Sequence, residues 1–514
     1  MRELLTSDVT DLPALIERAA AGRPSAEAVV GSTRRWTWAE AHAAVVHIAD
    51  ELHRIGVRPG QHVAVHRTKT AESLLAVWGV LCAGAVVVPV DAQLTPDITA
   101  GMFERADVVA ALVDRRTAGR LPAGLASIDV SALVSAAPAV APIGQRTARS
   151  LADTAYLIFT SGSTGVPKAI VHTHASALAY AALVVDTYSL APTDRVAGMS
   201  PIHFDMSTLE LYAAPLAGAT VVVMDEAVMK FPASFSHRCA AERVSVWYTV
   251  PYFLQQVASR GALDQHDLST LRWLLYGGEA YSPAALDALL EQLPADVRIS
   301  NVYGPAEVNQ CTVWNFTRDQ LDVTASDVPL GEAWTGARLA VVDDNGLPVA
   351  DGEAGELHVA ATTAMTGYWR QPELTARTYQ ERGDLGPGRW YSTGDLVHRG
   401  PDGLLHYLGR RDHQVKIRGT RIELDGVEAV LGNAPHVLHV VVGPTPAADG
   451  LIAAVVVADE AFDEYEFMSY AISRLHPSAV PTRVVRQSDL PRTGSGKIDR
   501  RRVRAALVQE ATAT

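Results

Sequence analysis

The stretch Tyr156-Leu157-Ile158-Phe159-Thr160-Ser161-Gly162-Ser163-Thr164-Gly165-Val166-Pro167-Lys168 decides how the rest of the chain is read. An apolar run of strand character stops at Thr160, and hydroxyls, two glycines, a proline and a lysine follow. A second apolar run, Ala169-Ile170-Val171, begins at once. Glycine lets main-chain N–H groups approach an anion, hydroxyls donate to it and lysine adds charge. The pattern therefore points to a phosphate cradle between two strands. It is not a P-loop, which needs Gly-Lys followed directly by Ser or Thr and then a helix; here Pro167 intervenes and a strand follows. A Ser/Gly surface turn is the plainer alternative, but such turns rarely gather so many phosphate-type donors between two apolar strands.

Working outward, 514 residues exceed what one hydrophobic core usually holds, so at least two domains are expected. The net charge of −13 argues against a general nucleic-acid binder, which would carry a basic footprint. Three cysteines, Cys82, Cys239 and Cys311, lie far apart without metal-ligand spacing, as expected of a cytoplasmic chain without a disulfide framework. Met1–Thr6 lacks the apolar core of a signal peptide. Ser73–Val90 is uncharged, yet Gly79, Gly84, Pro89 and the β-branched Ala85–Val90 predict a buried helix through Leu74–Cys82, a turn and a buried strand. No membrane span is expected.

Apolar runs at Ala28–Val30, His62–His66 and Val108–Val113 alternate with helical patterns, then 114–150 reads as a loose Ala/Pro/Ser-rich connection. Alternation resumes with Val221–Met224, Val244–Tyr248 and Trp273–Tyr276. Such alternation predicts α/β sheets, mostly parallel and doubly wound, with ligands at the carboxyl ends of the strands. Chemistry is thus sought at Thr249–Pro251, at Gly277-Gly278-Glu279 and at Tyr303–Glu307. Beyond residue 330, short β-runs with turn signals predict a small barrel, and the last hundred or so residues predict a compact βαβ-type unit after a hinge at Arg410–Asp412.

Several separated motifs then agree. They are Gly84–Asp91, the opening loop, Phe204-Asp205-Met206-Ser207, Asn301–Glu307, Tyr391–Asp395, Gly409–Gly419 and Gly494–Arg500. In that order they resemble the adenylate-forming enzymes, and more narrowly a free-standing adenylation domain of the nonribosomal peptide synthetase type. The resemblance implies two doubly wound βαβ subdomains plus a small distorted β-barrel in residues 1–409. A small mobile α+β domain, 410–514, would carry the catalytic lysine. It implies ATP and Mg²⁺ as cofactors, and an acid converted to acyl-adenylate by attack on the α-phosphate, a task of positioning and charge neutralisation.

What the resemblance implies for single residues follows from the matched motifs. Lys497 would bridge carboxylate and α-phosphate, and Glu307 would be the Mg²⁺-associated carboxylate. Thr160, Ser161, Gly162, Ser163, Thr164, Gly165 and Lys168 would hold the phosphates. Tyr303, with Gly278 and Ala306 nearby, would lie against the adenine; Asp395 and Arg410 would hold the ribose. Ala306 stands where the family often has Thr, so one hydroxyl contact is missing. Asp412 would be the hinge, and His203 and Gly419 would shape the pantetheine channel.

The substrate pocket implied by the resemblance comprises Asp205, Met206, Leu209, Tyr248, Leu275, Gly277, Val302, Gln310 and Cys311. Asp205 would bind an α-ammonium, since a buried carboxylate needs a cationic partner; a helix cap is its plainer role. The pocket pattern is similar to that of prolyl-carrier-protein ligases, with Gln310 departing from an aliphatic position. L-Proline or a substituted proline is the expected substrate, with another small amino acid or a β-amino acid as alternatives. The chain ends soon after Lys497, so the acyl group is expected to pass to a separate peptidyl carrier protein, which the basic run Arg500–Arg504 would meet. The rival readings are an acyl-CoA or aryl-CoA ligase of the same fold and a nucleotide-binding regulatory protein without catalysis.

Overall fold

The computed structural model describes residues 9–137, 149–160, 167–411, 414–445, 449–457, 461–492 and 498–512. They fall into two compact units. The first runs to Arg411, apart from Gln93–Met102 and Phe159–Lys168, which group with the residues after Arg411.

The first unit is built on two large sheets. In one, Arg298–Tyr303, Trp273–Gly277, Val246–Thr249, Arg195–Gly198, Thr220–Val223 and Glu27–Val30 lie side by side and parallel. Antiparallel strands close both edges. In the other, Val86–Val90, His62–His66, Val108–Val113 and Ala126–Asp129 pair in parallel beside Thr154–Thr160 and Lys168–Thr173. The strands are nearly continuous Val, Ile, Leu and Ala because helices cover both faces. The helix His174–Tyr188 is buried almost throughout. Thr173 opens it with a capping box closed by Ser176, an arrangement that stabilises a helix start by about 1 kcal/mol.

Two features depart from the sequence reading. The segment 114–150 is not wholly loose: it contains the strand Ala126–Asp129 and the helix Val130–Ser135. Asp129 caps that helix by accepting from the backbone of Ser131 and Ala132, while Val130 and Val134 turn into the core. The early strand Glu27–Val30 lies in the larger sheet, between Thr220–Val223 and Arg35–Thr37, rather than in the sheet of His62–His66 and Val108–Val113. Beyond residue 330 the β-runs form a five-stranded antiparallel sheet.

The second unit has its own core of Ile417, Leu424, Leu431, Val442, Leu451 and Phe467. Its strands Val437–Pro444, Leu451–Val457 and Arg483–Gln487 form a sheet in which the last two are parallel, joined across the helix Glu464–Arg474. The strands Gln414–Ile417 and Thr420–Glu423 form a hairpin whose turn residues Arg418 and Gly419 have φ of 50° and 80°. Both signs match the tight turn that suits the twist of a two-residue hairpin, and glycine takes the second place without strain.

Two arginines of the basic run, Arg500 and Arg504, are drawn into ion pairs within the second unit. Arg500 Nε donates to Glu428 at 2.6 Å, and Arg504 pairs with Glu428 and Asp425 at 2.6 and 3.3 Å. Arg500 and Arg504 tie the last helix to Leu424–Leu431.

Candidate active site

Parallel register places the pocket residues on one face of the larger sheet. Tyr248 lies opposite Leu275, Leu275 opposite Ser300, and Gly277 opposite Val302. Side chains two apart on a strand share a face. Tyr248, Leu275, Gly277, Ser300 and Val302 therefore line one surface near the carboxyl ends of three neighbouring strands. Leu209, Tyr248, Leu275 and Val302 are buried in one apolar cluster, with Met206 packed against it. A Cβ on Gly277 would stand 2.2 Å from the carbonyl oxygen of Val302, so only glycine allows the two strands this approach. Cys311 is fully buried in a different cluster, beside Tyr303.

Asp205 opens a short 3₁₀ turn, Asp205–Ser207, that continues into a π-helical turn, Leu209–Ala213. It is half-buried and does not cap an α-helix, although its Oδ1 accepts from the Met206 N–H at 2.9 Å. Phenols surround it. Burial pushes Tyr156, Tyr180 and Tyr248 above the ordinary range, and the negative charge of Asp205 pushes each in the same direction. The carboxylate thus sits at the edge of an aliphatic wall among neutral hydroxyls.

The segment bearing Asp205 is anchored by a buried ion pair absent from the sequence reading. Lys69 Nζ donates to the carbonyl of Ser200 and to Glu210 Oε1. Both side chains are nearly sealed from solvent, and burial lowers the pKa of Lys69 and raises that of Glu210 against their mutual attraction. Ser200 and Glu210 bracket Asp205 five residues on either side. Glu210 lies buried in the π-helical turn, a geometry often found at functional sites.

A second constellation lies at Tyr303, on the opposite face of its strand from Val302. Its hydroxyl donates to Asp395 Oδ2 at 2.5 Å, and Arg410 Nη1 donates to Oδ1 at 2.9 Å. Asp395 and Arg410 face each other across paired strands, which sets this contact by register. The turn is held by Gly394 N–H donating to Glu356 at 3.1 Å and Asp395 N–H donating to Thr393 at 3.0 Å.

Glu307 is fully buried and accepts from the hydroxyl of Tyr368 at 2.8 Å. His172 donates from Nε2 to the carbonyl of Ala306 at 2.9 Å and stacks on Tyr156. Burial drives its imidazole down to about 4, against the opposing pull of that carbonyl and of Glu307. Among the described residues no group of three or more His, Cys, Asp or Glu is gathered to hold a metal. Thr160 ends its strand with a buried hydroxyl that has no partner among the described residues. Lys168 opens the next strand, and Gly278 follows Gly277 with φ of 90°. His203 Nε2 lies 3.9 Å from Asp91, and Gly419 sits in the hairpin turn of the second unit. Ser161, Gly162, Ser163, Thr164, Gly165, Asp412 and Lys497 lie outside the described residues.

Gln310 is buried, and its Nε2 donates to the Tyr188 hydroxyl at 3.4 Å. Tyr188 in turn meets Ser300 Oγ at 3.0 Å. Neither Tyr188 nor Ser300 emerged from the sequence reading, although Ser300 shares its face with Val302 two residues on. No helix of the described residues is long and apolar enough to cross a membrane.

Residues 16–369 match the AMP-binding enzyme family, and residues 426–497 match the AMP-binding enzyme C-terminal domain. The chain is 33% identical over 453 residues to a dimodular nonribosomal peptide synthase of Bacillus subtilis, covering 87% of this chain but only 19% of that longer protein. It is 34% identical over 467 residues to an L-proline–[L-prolyl-carrier protein] ligase of Pseudomonas fluorescens, covering 87% of this chain and 89% of the relative. An amide bond synthetase from Marinactinospora thermotolerans has the same fold, with a TM-score of 0.83 at 26% identity over 96% of this chain and 99% of that one. The chain belongs to the AMP-binding enzyme family, whose adenylate-forming members activate acids with ATP.

Proposed function

We propose that the chain activates a small amino acid, L-proline or a substituted proline, as its aminoacyl-AMP and passes it to the phosphopantetheine thiol of a carrier protein. The observation that carries this reading is Asp205, a carboxylate set among phenols at the rim of the wall formed by Tyr248, Leu275, Gly277 and Val302. An α-ammonium would satisfy the carboxylate while a compact apolar side chain packs on the wall. The similarity to a prolyl-carrier-protein ligase supports the same substrate class.

In the first step a substrate carboxylate oxygen attacks the α-phosphorus of ATP. A C–O–P linkage forms and the bond to the β-phosphate oxygen breaks, releasing pyrophosphate. The residues supply position and charge. Tyr303 lies against the adenine beside Gly278 and Ala306, and Asp395, already held by Tyr303 and Arg410, receives the ribose hydroxyls. The orphaned hydroxyl of Thr160 suits a phosphate oxygen, joined by Ser161–Gly165 and Lys168. Lys497 bridges the two reacting groups.

Glu307 would supply one hard carboxylate oxygen to Mg²⁺, which takes few carboxylates and keeps phosphate and water oxygens; bound there, the ion would neutralise phosphate charge. In the second step the thiol sulfur attacks the acyl carbon, its proton leaves to solvent and AMP departs. Residues 1–409 would supply the nucleotide and substrate sites, and 410–514 would reorient about Asp412 between the steps. His203 and Gly419 would border the thiol's approach.

The test is to incubate the protein with ATP, Mg²⁺ and L-proline in the presence of both a phosphopantetheinylated carrier protein and coenzyme A, followed by mass spectrometry of the carrier and of the coenzyme A. The carrier is expected to gain one prolyl residue. Formation of a coenzyme A thioester with no carrier loading would contradict the acceptor assignment.

A further inference from the structure

We infer that Tyr188 and Ser300 are positioning residues that lock the Gln310 carboxamide with its oxygen turned toward the substrate, so that the selected side chain carries a neutral hydrogen-bond donor. This rests on the amino-acid reading above and narrows its substrate to a compact side chain bearing a hydroxyl.

The chain of contacts has a direction. Gln310 Nε2 donates to the Tyr188 oxygen at 3.4 Å, and the phenol proton can then be given to Ser300 Oγ at 3.0 Å. Burial raises the Tyr188 pKa to about 12, which keeps that proton in place at neutral pH. The ring is itself fixed, closing the buried helix His174–Tyr188 and standing edge-on to Trp273 at 5.0 Å. A carboxamide with its nitrogen so held cannot rotate freely.

The opposite end of the amide then decides what is recognised. Among the described residues nothing donates to Gln310 Oε1, although the residue is only 3% exposed. The oxygen is not among the buried polar atoms sealed without a partner, so it opens onto accessible space. Once a ligand fills that space, leaving the acceptor unpaired would cost about 1–3 kcal/mol, which a ligand donor avoids.

Position supports the pocket as that space. Ser300 is in register with Leu275 and shares a face with Val302, which puts the Tyr188 contact beneath the aliphatic wall. The adjacent Asn309 reaches Thr208, three residues beyond Asp205, at 3.4 Å. No carboxylate among the described residues hydrogen-bonds to Gln310, Tyr188 or Ser300, so a neutral donor suits the site better than an ammonium.

The experiment is ATP–pyrophosphate exchange with two matched pairs, L-proline against trans-4-hydroxy-L-proline and L-alanine against L-serine. Wild type, Gln310→Met and Tyr188→Phe are compared, with thermal melts to confirm folding. Wild type is expected to prefer the donor-bearing member of at least one pair by about tenfold or more in kcat/KM. Gln310→Met is expected to collapse or reverse that ratio. Tyr188→Phe, which frees the amide to rotate, is expected to erode it through KM with kcat held. Equal use of both members in both pairs by wild type, or a preference that survives Gln310→Met, overturns the inference. Exchange with no amino acid at all overturns instead the reaction reading beneath it, so the two failures are distinguishable.

Discussion

The hydroxyl of Tyr303 and the guanidinium of Arg410 hold Asp395 from opposite sides, at 2.5 Å to one oxygen and 2.9 Å to the other. The carboxylate therefore has one neutral and one charged donor, which orient it before any nucleotide arrives. Breaking a buried ion pair by removing one member costs about 3–5 kcal/mol at most sites. Arg410→Ala is expected to raise the KM for ATP at least about tenfold while moving the amino-acid KM little. Tyr303→Phe, which loses one hydrogen bond, is expected to cost about 1 kcal/mol. Exchange kinetics with each substrate varied in turn check both, and equal movement of the two KM values would place Asp395 elsewhere.

Lys69 and Glu210 make a second test. Lys69→Met leaves Glu210 buried without its cation and frees the carbonyl of Ser200. A loss of about 3–5 kcal/mol of stability is expected in urea unfolding, together with a raised amino-acid KM. The double variant Lys69→Met/Glu210→Leu is expected to recover much of the stability, because no unpaired charge remains. Stability recovered without any change in either KM would reduce the pair to a structural support.

His172 sets a pH dependence. Its folded pKa of about 4 lies below the ordinary value of 6.5, so the unfolded chain takes up the additional proton between those values. Stability from this group is complete above pH 6.5 and is lost as pH falls through the window toward 4. The integrated effect is about 3 kcal/mol. Urea unfolding of wild type and His172→Gln at pH 7.5 and 4.5 is expected to show a shallower acid loss in the variant.

Lys497→Ala is expected to abolish adenylate formation while largely sparing thioester formation from chemically made prolyl-AMP. Half-reaction assays separate the two. Equal loss of both would assign Lys497 a structural part or a role in the acceptor step.

Much of the architecture was legible because its signals are local. The runs His62–His66, Ala85–Val90, Val108–Val113 and Trp273–Tyr276 read as buried strands from their β-branched and aliphatic content, and the strands lie at His62–His66, Val86–Val90, Val108–Val113 and Trp273–Gly277. The segment Ala126–Ser135 was missed because its apolar positions, Ile128, Val130 and Val134, are diluted by Ala and Ser. Non-local pairing carried no signal either: nothing within Glu27–Val30 shows that its partner is Thr220–Val223. The same limit applies to the site. Asp205, Tyr303 and Asp395 stand in motifs, whereas Lys69, Tyr188 and Ser300 matter through contacts with residues more than a hundred positions away. The arginines from Arg500 to Arg504 illustrate the converse: as a run they suggest a docking face, yet the fold uses Arg500 and Arg504 as stitches to Glu428.

The central claim is that an amino acid is the acid activated, with Asp205 receiving its ammonium. ATP–pyrophosphate exchange measured across the amino acids and across a panel of fatty and aromatic acids tests it most directly, with Asp205→Ala alongside. Exchange is expected with a small uncharged amino acid, prolines foremost, and Asp205→Ala is expected to raise that substrate's KM and lower kcat. Exchange confined to fatty or aromatic acids, or kinetics unchanged in Asp205→Ala, would contradict it.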